Sequence, residues 1–328
     1  MTEPLSPNAR SQPRAPRLAG FRNEFVFDWL DFCVMLRRTT TIEAIRNRAG
    51  LNPSQSQRYV RAVAPGPSGA SNQFVIRFDS PAHWSDVAAG LREVGGWAEF
   101  ASPPELRAAE IAWDFYSLDN DVTALDAMTH RLMTGLDGPT AARQYTTKGH
   151  KVARMENDVG GDRIATFKTM RIGSDQDPVA LRVYLKHVDT RGKALPPDRW
   201  RARAEVTLKD EEARKHVKVA EDLSGIALER ASRHFRFRRL ADDFGTAAGL
   251  NPLQVLHTTY KVNTRGINAI HPEPGSRRRH SALTTPNSLM TRLANDGVTQ
   301  LARRFNRKIS RTGSARKPAS LLGRGLQA

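Results

Sequence analysis

Charged and apolar side chains alternate along three segments of the chain, and this alternation constrains the fold more than any other feature. The segments are ALRVYLKHVD (180–189), EIAWD (110–114) and RARAEVTL (201–208). Successive side chains of a β-strand point to opposite faces of a sheet, so each segment would have one apolar face and one charged face. The three segments therefore predict antiparallel strands with one face on a core and the other face bearing charges.

Patterns elsewhere predict further strands and several helices. Strand-like runs occur at 25–36 and 72–79, with a last short strand within 234–242. Apolar residues at helical spacing, and helix start and stop signals, predict helices at 39–50, 80–96, 121–134, 210–232, 241–262 (a short helix within this range) and 286–305. The helix at 80–96 has Ser80 as a candidate N-cap and Pro81 at its first position. We expect an α+β fold, in which a central antiparallel sheet has helices packed on one face and is followed by a basic C-terminal extension.

Composition predicts three parts of the chain. Residues 1–20 are rich in proline and polar residues, which predicts a disordered leader. Residues 21–270 hold the sheet, and residues 271–328 form a basic extension with one helix and a flexible tail. The leader lacks the apolar centre of a signal peptide, and the chain has no apolar run long enough to span a membrane. We therefore expect a cytoplasmic protein.

The charge of the chain points to a polyanionic partner. Lys and Arg number 51 against 34 Asp and Glu, which gives a net charge of +17. An excess of this size favours nucleic acid binding. Residues 300–328 contain no acidic residue, and the cations there predict a non-specific phosphate-binding arm that includes Arg303, Arg304, Arg307 and Lys308. The single cysteine, Cys33, excludes an internal disulfide and a cysteine-based zinc cluster.

The charged faces of the three strands contain the groups that phosphodiester cleavage requires. Hard cations such as Mg²⁺ or Mn²⁺ prefer carboxylate oxygens, so Glu110, Asp114 and Glu205 are candidate metal ligands. Tyr184 lies between two cations on its strand face, and these would favour the phenolate and screen a phosphate. The pattern predicts a tyrosine nucleophile flanked by Arg182 and Lys186.

Other residues compete for these roles. Tyr116 and Tyr145 are rival nucleophiles, the first beside the Asp114 strand and the second in a predicted loop. His187 adjoins Tyr184 but falls on the opposite face of the strand, which favours packing or solvent contact rather than catalysis.

Four motifs in order give the chain a family resemblance. They are FDWLDFCV, RAAEIAWDFY, MRIGSDQDPVALRVYLK and RARAEVTLK, within residues 25–240. In order and spacing they resemble the replication initiation factor family, the trans-acting rolling-circle initiators of plasmids and filamentous phages and related relaxases. The chain lacks the His-hydrophobic-His motif of the common three-histidine relaxases.

The resemblance implies a metal-dependent enzyme that nicks and rejoins origin DNA, either single-stranded or in a hairpin. The nick leaves a 5′-phosphotyrosine and a free 3′-OH that primes synthesis, with a host helicase and replication machinery as partners. Tyr184 would be the nucleophile, and Asp114 and Glu205 would bind the metal. Phosphate contacts would come from Arg182, Lys186 and Arg203, with Arg201 on the same face.

Two further functions remain open from the sequence. A non-catalytic transcriptional regulator would use 40–63 as a helix-turn-helix, with the turn at Ala49–Leu51 and a recognition helix from Ser54 to Val63. A structural RNA- or phage-associated basic protein would use the tail and the sheet face without a metal. Neither alternative predicts a covalent adduct with DNA.

Overall fold

Eight strands form one antiparallel sheet in the computed structural model, which describes residues 18–49, 60–135, 142–146, 168–172, 176–189, 192–240 and 284–307. The strands are β1 (Phe21–Thr40), β2 (Val60–Ala62), β3 (Ser71–Asp79), β4 (Phe100–Ser117), β5 (Ala142–Thr146), β6 (Lys168–Ile172), β7 (Val179–Lys186) and β8 (Arg201–Lys209). Their order is β2-β3-β1-β4-β8-β7-β6-β5, and all neighbours are antiparallel. The predicted antiparallel sheet is confirmed.

Within the described residues, five α-helices accompany the sheet: α1 (Ile42–Arg48), α2 (Trp84–Ala98), α3 (Val122–Gly135), α4 (Asp210–His216) and α5 (Ser288–Phe305). Capping side chains fix where two of them begin. Thr41 accepts a hydrogen bond from the Ala44 amide at the start of α1, and Asn287 accepts one from the Met290 amide at the start of α5. Within the described ranges, no helix combines the length and apolar content needed to cross a bilayer.

The apolar faces of the central strands form the core under the helices. Trp113 and Phe115 of β4 and Ala202, Ala204 and Val206 of β8 are all buried there. Phe25 of β1 stacks on Trp113 with ring centroids 4.8 Å apart. α2, α3 and α5 contact the sheet and contribute to the same core. The prediction of an α+β fold with helices on one face is therefore confirmed.

Two predicted helices differ from the structure. α2 begins at Trp84 and its N-cap position is His83, whereas Ser80 has a φ of 43° and donates its amide to the Asp28 carbonyl. The helix predicted over 210–232 ends with α4, and a hairpin follows, made of β9 (Val217–Val219) and β10 (Ile226–Leu228). Turn chemistry explains the hairpin, because Asp222 accepts a hydrogen bond from the Ser224 amide between the strands.

The last helix packs on the sheet. Apolar residues at helical spacing are buried along α5, namely Met290, Ala294, Val298, Leu301 and Phe305. Gly297 lies so close to the Phe25 ring that an added Cβ would come within 2.3 Å of its nearest atom. Two short strands, β11 (Arg238–Leu240) and β12 (Thr284–Pro286), pair just before α5. The short helix predicted within 241–262 and the boundary predicted at 270 lie outside the described residues.

The segment predicted as a helix-turn-helix does not form one throughout. α1 covers its first part, but Val60–Ala62 is a strand that pairs with β3. Residues 50–59 lie outside the described residues. The prediction of a recognition helix from Ser54 to Val63 is therefore wrong at its C-terminal end.

Candidate active site

Strand register brings the predicted charged residues together on one face of β7, β8 and β4. Glu205 of β8 lies opposite Ala112 of β4 on one side and Arg182 of β7 on the other. One pleat further along, Arg203 lies opposite Asp114 and Tyr184. Side chains directly opposite in an antiparallel pair are close enough to interact, so the three strands build one continuous polar surface.

A β-bulge adds a fourth acid to this surface. Phe27 of β1 lies opposite Ile111 and Trp29 lies opposite Glu110, so Asp28 is an extra residue between them. Bulges redirect side chains and are common beside active sites. Asp28 was missed in the sequence because the run FVFDWLDF was interpreted as a mostly apolar strand. The sequence signal that could have identified Asp28 is its spacing of four residues from Glu24, which places both acidic side chains on the same face of the strand.

Asp28, Glu110 and Glu205 form an acidic cluster. One carboxylate oxygen of each lies within 4.8 Å of the others. Burial and the neighbouring Glu205 carboxylate raise the pKa of Glu110 to about 7. Burial acts against ionisation of Asp28, but the charges of Arg203 and Lys186 hold its pKa below the usual range. The three carboxylates therefore form a negative site in which one member is easily protonated.

The Tyr184 hydroxyl forms a hydrogen bond with a member of this acidic cluster. It donates a hydrogen bond to Oε1 of Glu205 at 2.6 Å, and Nε of Arg182 donates to Oε2 of the same carboxylate at 2.6 Å. The Arg182 guanidinium lies 5.0 Å from the centre of the Tyr184 ring. Burial and Glu205 raise the pKa of Tyr184 well above its ordinary value, more than Arg182 and Arg203 lower it. The flanking cations therefore do not produce the phenolate that the sequence suggested, and Glu205 is positioned to accept the proton.

Asp114 has a different environment from the other predicted ligands. Arg203 binds it in a bidentate pair, with Nε 2.5 Å from Oδ1 and Nη2 2.6 Å from Oδ2. Nε of Arg201 lies 3.1 Å from Oδ2. Nη1 of Arg203 also donates hydrogen bonds to Asp28 at 2.6 Å and to Glu205 at 3.2 Å. Asp114 therefore holds the arginine that links it to the acidic cluster.

An open cleft of about 460 Å³ borders the cluster. Its walls include Asp28, Lys186, Arg201 and Arg203 from the sheet and Arg304 from α5. Nζ of Lys186 lies 3.7 Å from Asp28, and burial and Arg203 lower the pKa of this lysine. Asp28 is the member of the acidic cluster that lines the cleft, so the cleft offers cations to an anionic ligand beside Asp28.

The rival residues occupy other positions. Tyr116 lines the cleft, and its hydroxyl is 3.5 Å from Asp114; burial and that carboxylate raise its pKa to about 12. Tyr145 lies on β5 opposite Thr169, which in turn lies opposite Tyr184, so its backbone is in a strand and not in a loop. The His187 ring packs at an angle against Trp200, with centroids 5.8 Å apart.

The cations predicted near the C-terminus are only partly described. Arg303, Arg304 and Arg307 are exposed at the end of α5. Arg304 lies 3.6 Å from Glu24 and donates to the Phe25 carbonyl, so it is partly engaged with β1. Lys308 lies outside the described residues.

The fold and the site define an α+β protein whose antiparallel sheet carries an acidic cluster and a tyrosine on its charged face. A solved structure of a rolling circle replication initiator protein from Geobacillus stearothermophilus is similar over 58% of this chain and 76% of that chain, at 15% identity and a TM-score of 0.29. No family model matches the chain, and no curated protein is significantly similar to it.

Proposed function

We propose that this protein is a rolling-circle replication initiator that nicks and rejoins origin DNA through Tyr184. The observation that carries the proposal is the 2.6 Å hydrogen bond from the Tyr184 hydroxyl to Glu205, a member of the acidic cluster. A nucleophile needs a base within hydrogen-bond reach, and a metal site beside it is the usual companion in phosphoryl transfer. The ordered motifs that resemble replication initiation factors support the same function.

The acidic cluster fits a hard divalent cation. Its donors are all carboxylates, which Mg²⁺ and Mn²⁺ prefer, and the pKa of about 7 for Glu110 reflects burial and carboxylate repulsion that a cation would relieve. Asp28, Glu110 and Glu205 would hold the ion. Bound there, Mg²⁺ or Mn²⁺ would supply positive charge that stabilises the oxygens of the scissile phosphate. Asp114, which the sequence also proposed as a ligand, would act by orienting Arg203.

The chain's own residues have distinct roles in the proposed step. The Tyr184 oxygen forms a bond to phosphorus while its proton passes to Glu205, and the bond from phosphorus to the 3′ oxygen breaks. The 3′ oxygen takes a proton from water and leaves as the 3′-OH primer. Arg182 and Lys186 hold the phosphate, because both lie beside Tyr184 on β7. Rejoining is the same step in reverse, with the 3′-OH as nucleophile.

The DNA strand would enter along the basic side of the cleft. Arg201, Lys186 and Arg304 line this side and would contact backbone phosphates near the cluster. Arg203 touches the acidic cluster itself and would bridge it to the scissile phosphate. Exposed Arg303 and Arg307 extend the basic surface from the end of α5. We expect origin DNA to bind along this basic surface, and a host helicase to be recruited to the nicked DNA afterwards.

A covalent-adduct assay tests the proposal. The full-length protein is incubated with Mn²⁺ and a pool of single-stranded and hairpin oligonucleotides labelled at the 3′ end, because Tyr184 would retain that fragment. Label should migrate with the protein on a denaturing gel, and both chelation and Tyr184→Phe should abolish it. Tyr116→Phe is the matched control and should keep the adduct.

Two outcomes of this assay would reject the proposal. An adduct that survives Tyr184→Phe would move the nucleophile to another residue. Salt-sensitive DNA binding by the wild type with no adduct on any oligonucleotide in the pool would leave a binding protein without nicking activity.

A further inference from the structure

Two histidines and a glutamate converge at a second place in the fold. Glu212 and His216 lie four residues apart on α4, and His234 ends the 3₁₀ turn Ala231–His234. One potential ligand atom of each lies within 4.8 Å of the others. None of the three belongs to the acidic cluster, so this second cluster, the His-His-Glu cluster, is independent of the proposed nicking function.

His216 has the hydrogen bonding that is typical of a metal ligand. It is 3% exposed, and its Nδ1 lies 3.1 Å from the Glu229 carbonyl while its Nε2 lies 3.0 Å from Oε1 of Glu212. A ligating histidine usually donates its other ring N–H to a carbonyl or carboxylate, which orients the free nitrogen. If Nδ1 donates to Glu229, the lone pair of Nε2 faces the Glu212 carboxylate, and a cation between them would satisfy both acceptors.

His234 has a ring nitrogen with no hydrogen-bond partner in the part of the chain that the structure describes. Its Nε2 is buried and makes no hydrogen bond among the described residues. The rings of His216 and His234 are 4.8 Å apart and nearly perpendicular. A buried polar atom without a partner needs an explanation, and a neutral imidazole is the form that binds metals.

We propose that Glu212, His216 and His234 form a binding site for a transition-metal ion of the zinc class. Imidazole nitrogen suits Zn²⁺, Ni²⁺ and Cu²⁺, whereas Mg²⁺ prefers all-oxygen sites such as the acidic cluster. Three protein ligands leave a fourth position for water. The ion would join α4 to the 3₁₀ turn across the β9–β10 hairpin, so it would stabilise this part of the fold.

Two cations compete for the same glutamate. Arg233 donates to Oε1 of Glu212 at 2.9 Å, and Nζ of Lys215 lies 3.6 Å from Oε2. The Arg233 side chain is 41% exposed, so it has solvent into which it can move. Removing the Arg233 charge should therefore tighten metal binding. If the His-His-Glu cluster had only a structural role, the loss of the Arg233 charge would remove a stabilising partner of Glu212 and would not tighten metal binding.

The test is a titration of untagged, full-length protein with Zn²⁺ in the presence of excess Mg²⁺, which occupies all-oxygen sites. Wild type should bind one Zn²⁺ per chain with a rise in melting temperature, and Co²⁺ should give visible absorption bands typical of nitrogen ligation. His234→Ala should lower the affinity by more than about ten-fold, since even the loss of a group that only orients a metal ligand costs that much. Arg233→Gln should raise it. His187→Ala is the matched control and should bind as wild type does.

Two results of the Zn²⁺ titration would contradict the proposed site. Equal Zn²⁺ affinity in wild type, His234→Ala and Glu212→Gln would overturn the proposal, as would the absence of a stoichiometric site in wild type. In the latter case the contacts of His216 with Glu229 and Glu212 would have only a structural role. Circular dichroism of each variant shows whether it folds, and Glu212→Gln provides a second variant if His234→Ala does not. DNA nicking is not a readout here, so either proposal can fail without the other.

Discussion

Arg203 and Asp114 form a buried bidentate ion pair, with Nε to Oδ1 at 2.5 Å and Nη2 to Oδ2 at 2.6 Å. Asp114 is 1% exposed and Arg203 is 2% exposed. Both Asp114 oxygens are thus committed to an arginine, and Arg203 extends its remaining nitrogen to Asp28 and Glu205. This pair therefore connects the predicted acid Asp114 to the acidic cluster.

The first prediction separates the role of Asp28 from that of Asp114. Asp28→Asn should lower Mn²⁺ affinity by at least about ten-fold, because it removes one of three carboxylates. Asp114→Asn should instead lower the free energy of unfolding by about 3–5 kcal/mol, because it leaves a buried arginine without its partner. Calorimetric Mn²⁺ titration and urea unfolding of both variants check this. Lost Mn²⁺ binding in Asp114→Asn alone would return Asp114 to the ligand set.

The second prediction concerns pH and Glu110. Burial and the Glu205 carboxylate raise the pKa of Glu110 from 4.5 to about 7. Unfolding between these two pH values therefore releases a proton from Glu110. The stability that the neutral Glu110 carboxyl group contributes is lost as the pH rises through 7. That contribution is on the order of 3 kcal/mol. Glu110→Gln should therefore gain stability relative to wild type between about pH 5 and pH 8.

Urea unfolding of both proteins across this range is the measurement, since titrations common to both cancel in the difference. Added Mn²⁺ should restore the stability of wild type at high pH, because it binds the ionised carboxylate. A difference between the two proteins that does not change with pH would contradict a raised pKa at Glu110.

The third prediction tests the packing of α5 on the sheet. Gly297→Ala should destabilise the protein by about 1–2 kcal/mol, because the new methyl group would overlap the buried Phe25 ring. Gly96→Ala in α2 is the matched control, since no atom lies within 4 Å of its added Cβ, and it should stabilise by about 0.5–1 kcal/mol. Thermal unfolding compares the two. Stabilisation by both substitutions would show that α5 does not pack on Phe25.

The fourth prediction concerns the basic tail beyond α5. Truncation after Arg307 keeps the buried Leu301 and Phe305 and removes five cations, Lys308, Arg311, Arg316, Lys317 and Arg324. Binding to all single-stranded sequences should weaken alike. The slope of log K against log salt should become shallower by up to about 3.5, the value for five phosphate contacts.

Fluorescence anisotropy at several salt concentrations measures this slope. A tail of scrambled sequence but identical composition is the control and should restore wild-type binding. Selective loss of one DNA sequence would show that the tail reads bases and is not a non-specific arm.

Much of the fold follows from local pattern. Alternation in 110–114 and 201–208 predicted the strands and their two faces, because the pleat assigns successive side chains to opposite sides. The α5 helix was predictable from the spacing of its apolar residues. The prediction of a helix over 210–232 was wrong because Val217 and Ile226 fit the apolar stripe of a helix and the strands of a hairpin equally well. The turn that Asp222 forms with the Ser224 amide favours the hairpin.

The sequence by itself determined the sheet, its charged face, the basic character of the chain and the candidates Tyr184 and Glu205. Only the tertiary structure decided which acids meet, since a one-residue bulge at Asp28 and the register of four strands set those distances. It also brought His216 next to His234 across the β9–β10 hairpin. The physical reason is that contacts between strands, and the pKa changes that burial causes, depend on register and packing, which no local spacing encodes.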